Sequence, residues 1–216
     1  MAKTMKVSEI FASIQGESTL QGLPCLFIRL AGCNLNCRYC DTVYARGGGK
    51  EMTLSGIIKE AEKSKLKYVC ITGGEPLLQR ETPELALELL NRGCRVSIET
   101  NGTLDASKLH ENIIRVIDIK CPGSGEHGKT SPENITEKRP SDEYKFVITD
   151  RNDFEYARNF VKKHNLTVSG TVLFSPVYSI LEPKKLVEWI IKEMPEARLN
   201  LQIHKYIWHD SSEKEG

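Results

Sequence analysis
Three cysteines within eight residues, in the stretch Cys33-Asn-Leu-Asn-Cys37-Arg-Tyr-Cys40, constrain this chain more than any other feature. They follow an apolar run and a glycine, so their thiolates can sit on one loop and converge on one metal centre. A structural zinc site or an ordinary electron-transfer cluster takes four protein ligands and is closed. Three cysteines on a four-iron cube would instead leave one iron open to a small molecule. The alternative is a zinc knot whose fourth ligand is Cys25, Cys121 or a histidine.

The composition narrows the setting. At 216 residues the chain suits a single domain with a substantial core, spanning 1–216 with a short polar tail at 211–216. Its 30 basic and 29 acidic residues leave a net charge of +1, so no general field holds nucleic acid and no such partner is expected. The N-terminus leads into a strand-like segment rather than an apolar signal core, and no run approaches the ~20 apolar residues that span a bilayer. Three crowded cysteines among seven do not make a secreted disulfide framework. A cytoplasmic protein without a membrane partner is expected. Cys25, Cys70, Cys94 and Cys121 read as buried small hydrophobes or free thiols.

Strand and helix patterns alternate along the chain. Strands are expected at 7–13, 25–30, 68–71, 95–99, 113–119, 144–148, 170–174 and 199–203, with helices at 53–64, 83–91, 154–164 and 183–194. Thr53 reads as the N-cap of the first helix. Such alternation implies an α/β fold with a mainly parallel sheet and helices packed outside. A closed eight-fold barrel needs about 250 residues, so an incomplete, laterally open (β/α) barrel of about six units fits better. Ligands gather at the C-terminal ends of such strands, where Cys33–Cys40, 72–76, 99–101, 118–120, 175–178 and His204 all fall.

Some residues carry their own signals. Arg29 interrupts an otherwise apolar strand, so it must either pair with a core carboxylate or point into a polar site. In Thr72-Gly-Gly-Glu-Pro76 two glycines allow close backbone approach, and freed carbonyls there can accept from an ammonium group. The polar stretch 121–142 lacks periodicity and reads as a lid, a binding loop or a flexible segment. His204, Lys205 and Trp208 either close the cleft or finish the fold. His110, His127, His164 and His209 read as solvated.

The cysteine spacing, with an aromatic before the last cysteine, resembles the signature of the radical S-adenosylmethionine (SAM) superfamily, and Thr72-Gly-Gly-Glu75 resembles its SAM amino-group element. Ile14-Gln-Gly-Glu17 with Arg29, Asp41-Thr42, Glu99-Thr-Asn-Gly102 and Gln202-Ile-His-Lys205 narrow this to a resemblance to the 7-carboxy-7-deazaguanine synthases, spread over about residues 7–208. The resemblance implies a lyase that contracts 6-carboxy-5,6,7,8-tetrahydropterin to 7-carboxy-7-deazaguanine and ammonia, on the route to 7-deazapurines such as queuosine. A 5′-deoxyadenosyl radical would take hydrogen from the carbon bearing the carboxylate. The implied cofactors are a [4Fe-4S] cluster on Cys33, Cys37 and Cys40, SAM, and Mg2+ on Thr42. SAM would be held by Tyr39, Cys40, Asp41, Gly74, Asp118, Ile119, Lys120 and the run Ser175, Pro176, Val177, Tyr178, the last two groups matching only loosely. Substrate would be held by Ile14, Gln15, Gly16, Glu17, Arg29 and Thr72, with Arg29 forking onto the carboxylate and Glu17 accepting from the pterin N–H edge. An electron donor such as flavodoxin or ferredoxin and a homodimer are implied as partners. A glycyl-radical activase would share the cluster but gives no account of Gln15, Glu17 and Arg29 together.

Overall fold
The computed structural model describes residues 3–208; His209 and the tail 211–216 lie outside them. Nine strands form one sheet: β1 (Thr4–Ile14), β2 (Pro24–Leu30), β3 (Lys50–Thr53), β4 (Tyr68–Gly73), β5 (Arg95–Thr100), β6 (Ile114–Asp118), β7 (Glu143–Ile148), β8 (Thr171–Pro176) and β9 (Arg198–Leu199). Their order is β3-β1-β2-β4-β5-β6-β7-β8-β9, so the described sheet does not close on itself. The six strands β2 and β4 to β8 run parallel, as expected for the open barrel, and β9 extends them. β1 and β3 add antiparallel pairs at one edge.

The helices are α1 (Leu54–Ser64), α2 (Thr82–Asn91), α3 (Glu133–Thr136), α4 (Arg151–His164), α5 (Pro183–Glu193) and α6 (His204–Ile207). Thr53 caps α1 by accepting from the Gly56 amide at 3.1 Å, and Asp150 caps α4 in the same way. Lys65 and Asn165 end these helices in the left-handed conformation. Alternate residues of the parallel strands face two environments. Outward side chains such as Ile28, Ile71 and Ile98 pack under α1 and α2. Tyr144, Phe146 and Phe174 pack under α4 and α5. Inward ones line the lumen.

Two expectations are corrected. Only Arg198–Leu199 of the strand expected at 199–203 pairs with β8, and the chain then turns into α6. The alternation also lapses between β5 and β7, where the chain crosses without a full helix and carries only α3 and a 3-10 turn at Pro122–Ser124. Other contacts replace the missing helix. The Asn134 amide donates to the Gly102 and Leu104 carbonyls at 2.9 and 2.8 Å, and Asp142 pairs with the fully buried Arg115 on the outer face of β6. The stretch 121–142 is tied to the sheet at its middle and its end.

Candidate active site
The lumen is layered. Its floor is apolar, made by Cys25, Phe27, Tyr68, Cys70, Ile114 and Val116. Above it, at the C-terminal ends of successive strands, stand Arg29, Thr72, Glu99, Asp118 and Lys145. Arg29 is level with Thr72, and Asp118 with Lys145. Inward period-two positions are mainly apolar below and charged above; the buried exceptions, Ser97 and Glu143, are taken by Tyr68 and Thr19.

These groups are linked. Gln15 donates to Glu99 at 3.2 Å, Thr72 to the other Glu99 oxygen at 3.4 Å, and the Glu17 amide to Gln15 at 3.1 Å. The Lys145 ammonium lies 2.8 Å from Glu17 and 3.6 Å from Asp118, which also pairs with Lys120 at 2.9 Å. Burial pushes the Glu17 carboxyl up, but Lys145, with help from Gln202 and His204, outweighs it and holds Glu17 down to about 2. Burial likewise pushes Lys145 down, and Glu17, Asp118 and Glu99 together raise it well above the ordinary lysine range. Glu99 is raised, chiefly by burial. The other carboxylate oxygen of Asp118 is buried without a hydrogen-bond partner among the described residues, so it can still accept from a ligand.

Arg29 resolves both ways at once. Its Nε donates to Glu9 on β1 at 2.7 Å, the paired-carboxylate reading, while its two terminal nitrogens have no protein partner among the described residues. That end-on fork faces the lumen.

The cysteine loop leaves β2 through Gly32, in the left-handed region at φ 102°. Cys33, Cys37 and Cys40 are free and half-buried. Among the described residues no three His, Cys, Asp or Glu side chains are placed to hold a metal ion. The three thiols nevertheless act on one another, since Cys40 and Cys33 help to raise Cys37 beside the larger effect of burial. Cys25 and Cys121, the alternative fourth ligands, are wholly buried in apolar clusters. The donor set therefore fits a three-cysteine cluster with one open iron better than a closed zinc knot. Several contacts fix the loop's shape. Asn101 donates to Asn34 at 2.9 Å, Glu126 accepts from the Asn36 amide at 2.8 Å, Ser124 accepts from the Arg38 amide at 3.1 Å, and Arg46 donates to the Cys37 carbonyl at 2.9 Å. Thr42 Oγ1 is 3.8 Å from Cys40 Sγ. Tyr39 reaches the Val147 carbonyl at 3.4 Å.

The glycines after β4 have a purpose that the sequence does not show. A Cβ on Gly73 would lie 2.1 Å from the Leu30 carbonyl oxygen, and one on Gly74 2.1 Å from the Gly32 carbonyl oxygen. They are needed where the cysteine loop crosses the end of β4. Glu75 points away from the cleft. It is fully buried and accepts from Thr100, the Asn101 amide and the Leu77 amide, which pins this turn to the end of β5.

The C-terminal segment crosses the cleft rim. Gln202 donates to Glu17 at 2.6 Å, and the Ile203 amide to the Gly16 carbonyl at 3.0 Å. His204 lies so close to Gly16 that a Cβ there would be 2.0 Å from its Nδ1. Lys205 reaches Asp41 at 3.3 Å. A groove of about 440 Å3 runs between this segment and the end of β8, lined by Pro176, Tyr178, Leu201, Gln202 and Tyr206 among others. Not every expected residue joins the cleft through its side chain. Ile119 packs into the outer core, and Ser175 is taken by Asn200 at 2.7 Å. Ile14 ends β1 opposite Pro24.

Sequence reasoning passed over Glu9 and Lys145, and it used Gln202 only as part of a family motif without giving it a partner. Lys145 carried the signal that exposed Arg29, a charge at an inward position of a buried strand. It also gives a sharp expectation. Between about pH 2 and the ordinary 4.5 the unfolded chain binds a proton at Glu17 that the folded chain does not, so the pair's stabilisation is complete above that window and lost below it. Lys145→Met leaves burial opposed only by Gln202 and His204, and Glu17 should then titrate at a higher pH than in the wild type. Carbon-13 NMR of the side-chain carboxyls should show this shift in the variant, and no Glu17 titration in the wild type between about pH 7 and about pH 4.

Comparison with known proteins agrees with this geometry. Residues 27–121 match the Radical SAM superfamily. The 7-carboxy-7-deazaguanine synthase of Koribacter versatilis is 40% identical, covering 94% of this chain and 97% of its own. That of Methanospirillum hungatei is 42% identical, covering 94% and 85%. The crystal structure of QueE from Escherichia coli superposes with a TM-score of 0.78 at 20% identity, over 92% of this chain and 93% of that one, and so shares the fold. With identity this high over nearly the full length of both curated relatives, the chain belongs to the 7-carboxy-7-deazaguanine synthase family of radical SAM proteins.

Proposed function
We propose that this chain converts 6-carboxy-5,6,7,8-tetrahydropterin to 7-carboxy-7-deazaguanine and ammonia. The observation that carries the reading is the charged upper layer of the lumen, open at the Arg29 fork and lying beneath a loop with three free cysteines. Arg29 offers two parallel donors for the substrate carboxylate, and Glu17, held ionised by Lys145, accepts from the pterin N–H and amino edge. Thr72, on the neighbouring strand, adds a hydroxyl, and Ile14, Gln15 and Gly16 border the same side. Cys33, Cys37 and Cys40 would hold the [4Fe-4S] cluster, which when bound would supply the electron for reductive cleavage of SAM. Tyr39, Asp41, Gly74, the segment 118–120 and the segment 175–178 hold SAM, Ile119 through its backbone alone. Thr42 would supply a hard neutral oxygen for Mg2+. The buried Lys145–Glu17 pair closes one side of the charged layer above the apolar floor.

The same reading places the protein in the cytoplasm as a single-domain homodimer that draws electrons from a flavodoxin- or ferredoxin-like donor. Among the described residues no helix is long and apolar enough to cross a membrane. The test is anaerobic turnover of the reconstituted protein with SAM, dithionite, Mg2+ and the carboxypterin, followed by mass analysis. A deazaguanine carboxylate that requires both cluster and substrate is the expected product. If SAM is cleaved and the pterin survives, the substrate assignment falls while the radical chemistry stands.

A further inference from the structure
We infer that Glu9 and Tyr44 are positioning residues for Arg29, fixing which edge of its guanidinium meets the substrate carboxylate. This rests on the assignment of Arg29 proposed above. The geometry begins in the backbone. Pairing of β1 with β2 shifts register between Val7 and Glu9, leaving Ser8 as an extra residue and setting Glu9 directly opposite Arg29. A bulge of this kind re-aims the side chain that follows it. Continuing the Val7–Leu30 register without it would set Ser8 opposite Arg29 and turn Glu9 to the other face.

One oxygen then does two things. Glu9 Oε1 accepts from Arg29 Nε at 2.7 Å and from the Tyr44 hydroxyl at 2.6 Å. A guanidinium carries five donors in one plane, and occupying Nε leaves the end-on pair as the free fork. The Arg29 side chain is only 15% exposed, so this is not a solvated surface arginine. Phe11 lies 5.8 Å from its guanidinium carbon and is itself stacked on Phe27, which limits swing on the other side. Tyr44 lies two residues beyond Thr42, in the 3-10 turn Val43–Arg46 that follows the cysteines. Through Glu9 the substrate-facing arginine is therefore tied to the same stretch of chain that carries Cys40 and Thr42. Ordering of the cluster loop and aim of the arginine become one event.

The opposite reading is that Glu9 is a competitor that must be displaced before substrate can pair with Arg29. Equilibrium binding separates the two. The cluster-loaded protein with SAM and no reductant is titrated with 6-carboxytetrahydropterin and with tetrahydropterin lacking the carboxylate, for wild type, Glu9→Ala, Glu9→Gln, Tyr44→Phe and Arg29→Met. Arg29→Met should lose the preference for the carboxylated ligand by at least about 30-fold. Glu9→Ala should lose about 10-fold of that preference while binding the carboxylate-free ligand as wild type does. Glu9→Gln, whose amide oxygen can accept both hydrogen bonds, should keep most of it, and Tyr44→Phe should fall between. A Glu9→Ala preference that is unchanged or increased, or a loss shared equally by both ligands, would overturn the positioning role while leaving Arg29 in place. An unchanged preference in Arg29→Met would overturn the Arg29 assignment itself.

Discussion

Cys40→Ser is expected to leave the fold unchanged and to lower SAM cleavage by more than about 100-fold. Cys40 is half-buried, its one side-chain contact among the described hydrogen bonds is Thr42, 3.8 Å away, and it belongs to neither outer core, so its removal opens no cavity there. On the proposed ligand set it removes one of three protein ligands to a centre that has none to spare, since Cys25 and Cys121 are buried too deeply to move in as substitutes. Changes in the outer shell of a metal site alone cost roughly 10- to 100-fold in affinity or activity, and loss of a ligand should exceed that. Iron and sulfide content after reconstitution, with 5′-deoxyadenosine release, measures the effect. Cys121→Ser provides the control, because its side chain belongs to the outer core and should change cluster content little. A Cys40→Ser protein that keeps full iron and full SAM cleavage would remove Cys40 from the ligand set.

The second large effect concerns stability. Arg115 and Asp142 are both wholly buried, with Nε donating to Asp142 at 2.7 Å and an amino group donating to the Glu137 carbonyl at 2.7 Å. Removing one partner of such a pair leaves an uncompensated buried charge, at a cost of about 3–5 kcal/mol. Asp142→Ala should therefore lower Tm by roughly 6–20 °C, using about 2–4 °C per kcal/mol for a domain of this size. The Arg139 amide, which donates to Asp142 at 2.7 Å, would be orphaned as well. Arg115→Met combined with Asp142→Leu should recover most of the loss, because the desolvation cost disappears along with the attraction. Calorimetry that finds Asp142→Ala as stable as wild type would show that water reaches Arg115.

Both effects bear on the same question of assembly. Between β5 and β7 the chain lacks a full covering helix, and the Arg115–Asp142 pair together with Asn134 holds the irregular stretch against the sheet. That stretch also supplies Ser124 and Glu126, which hold Arg38 and Asn36 beside the cysteines. Loosening the pair should therefore disturb the cysteine loop as well as the sheet.

Much of the fold was legible because period is a local property. The strand at Pro24–Leu30, the cap at Thr53 and the helices α1, α2, α4 and α5 all follow from alternation and capping residues within a dozen positions. The errors have local causes too. Leu199 to Ile203 is apolar enough for a strand, yet after Leu199 the chain leaves the sheet so that Gln202 can meet Glu17 and the Ile203 amide can meet Gly16. No window around residue 200 contains that information. Strand β3 was missed because four residues, half of them charged, show no period, and only pairing with β1 makes them a strand.

The sequence by itself determined the chemistry. Cysteine spacing, paired glycines and a charge inside an apolar strand are statements about neighbours in the chain, and the proposed cluster ligands and the inward arginine both rest on them. Only the tertiary structure decided how those groups are held. Glu9 meets Arg29, Lys145 meets Glu17, and Gly74 meets Gly32 across separations of 20, 128 and 42 residues. Such contacts depend on sheet order and register, which place strands side by side irrespective of their distance along the chain. Charge pairing, burial and close backbone approach act through space, and so they became visible only once the barrel had brought the strand ends together.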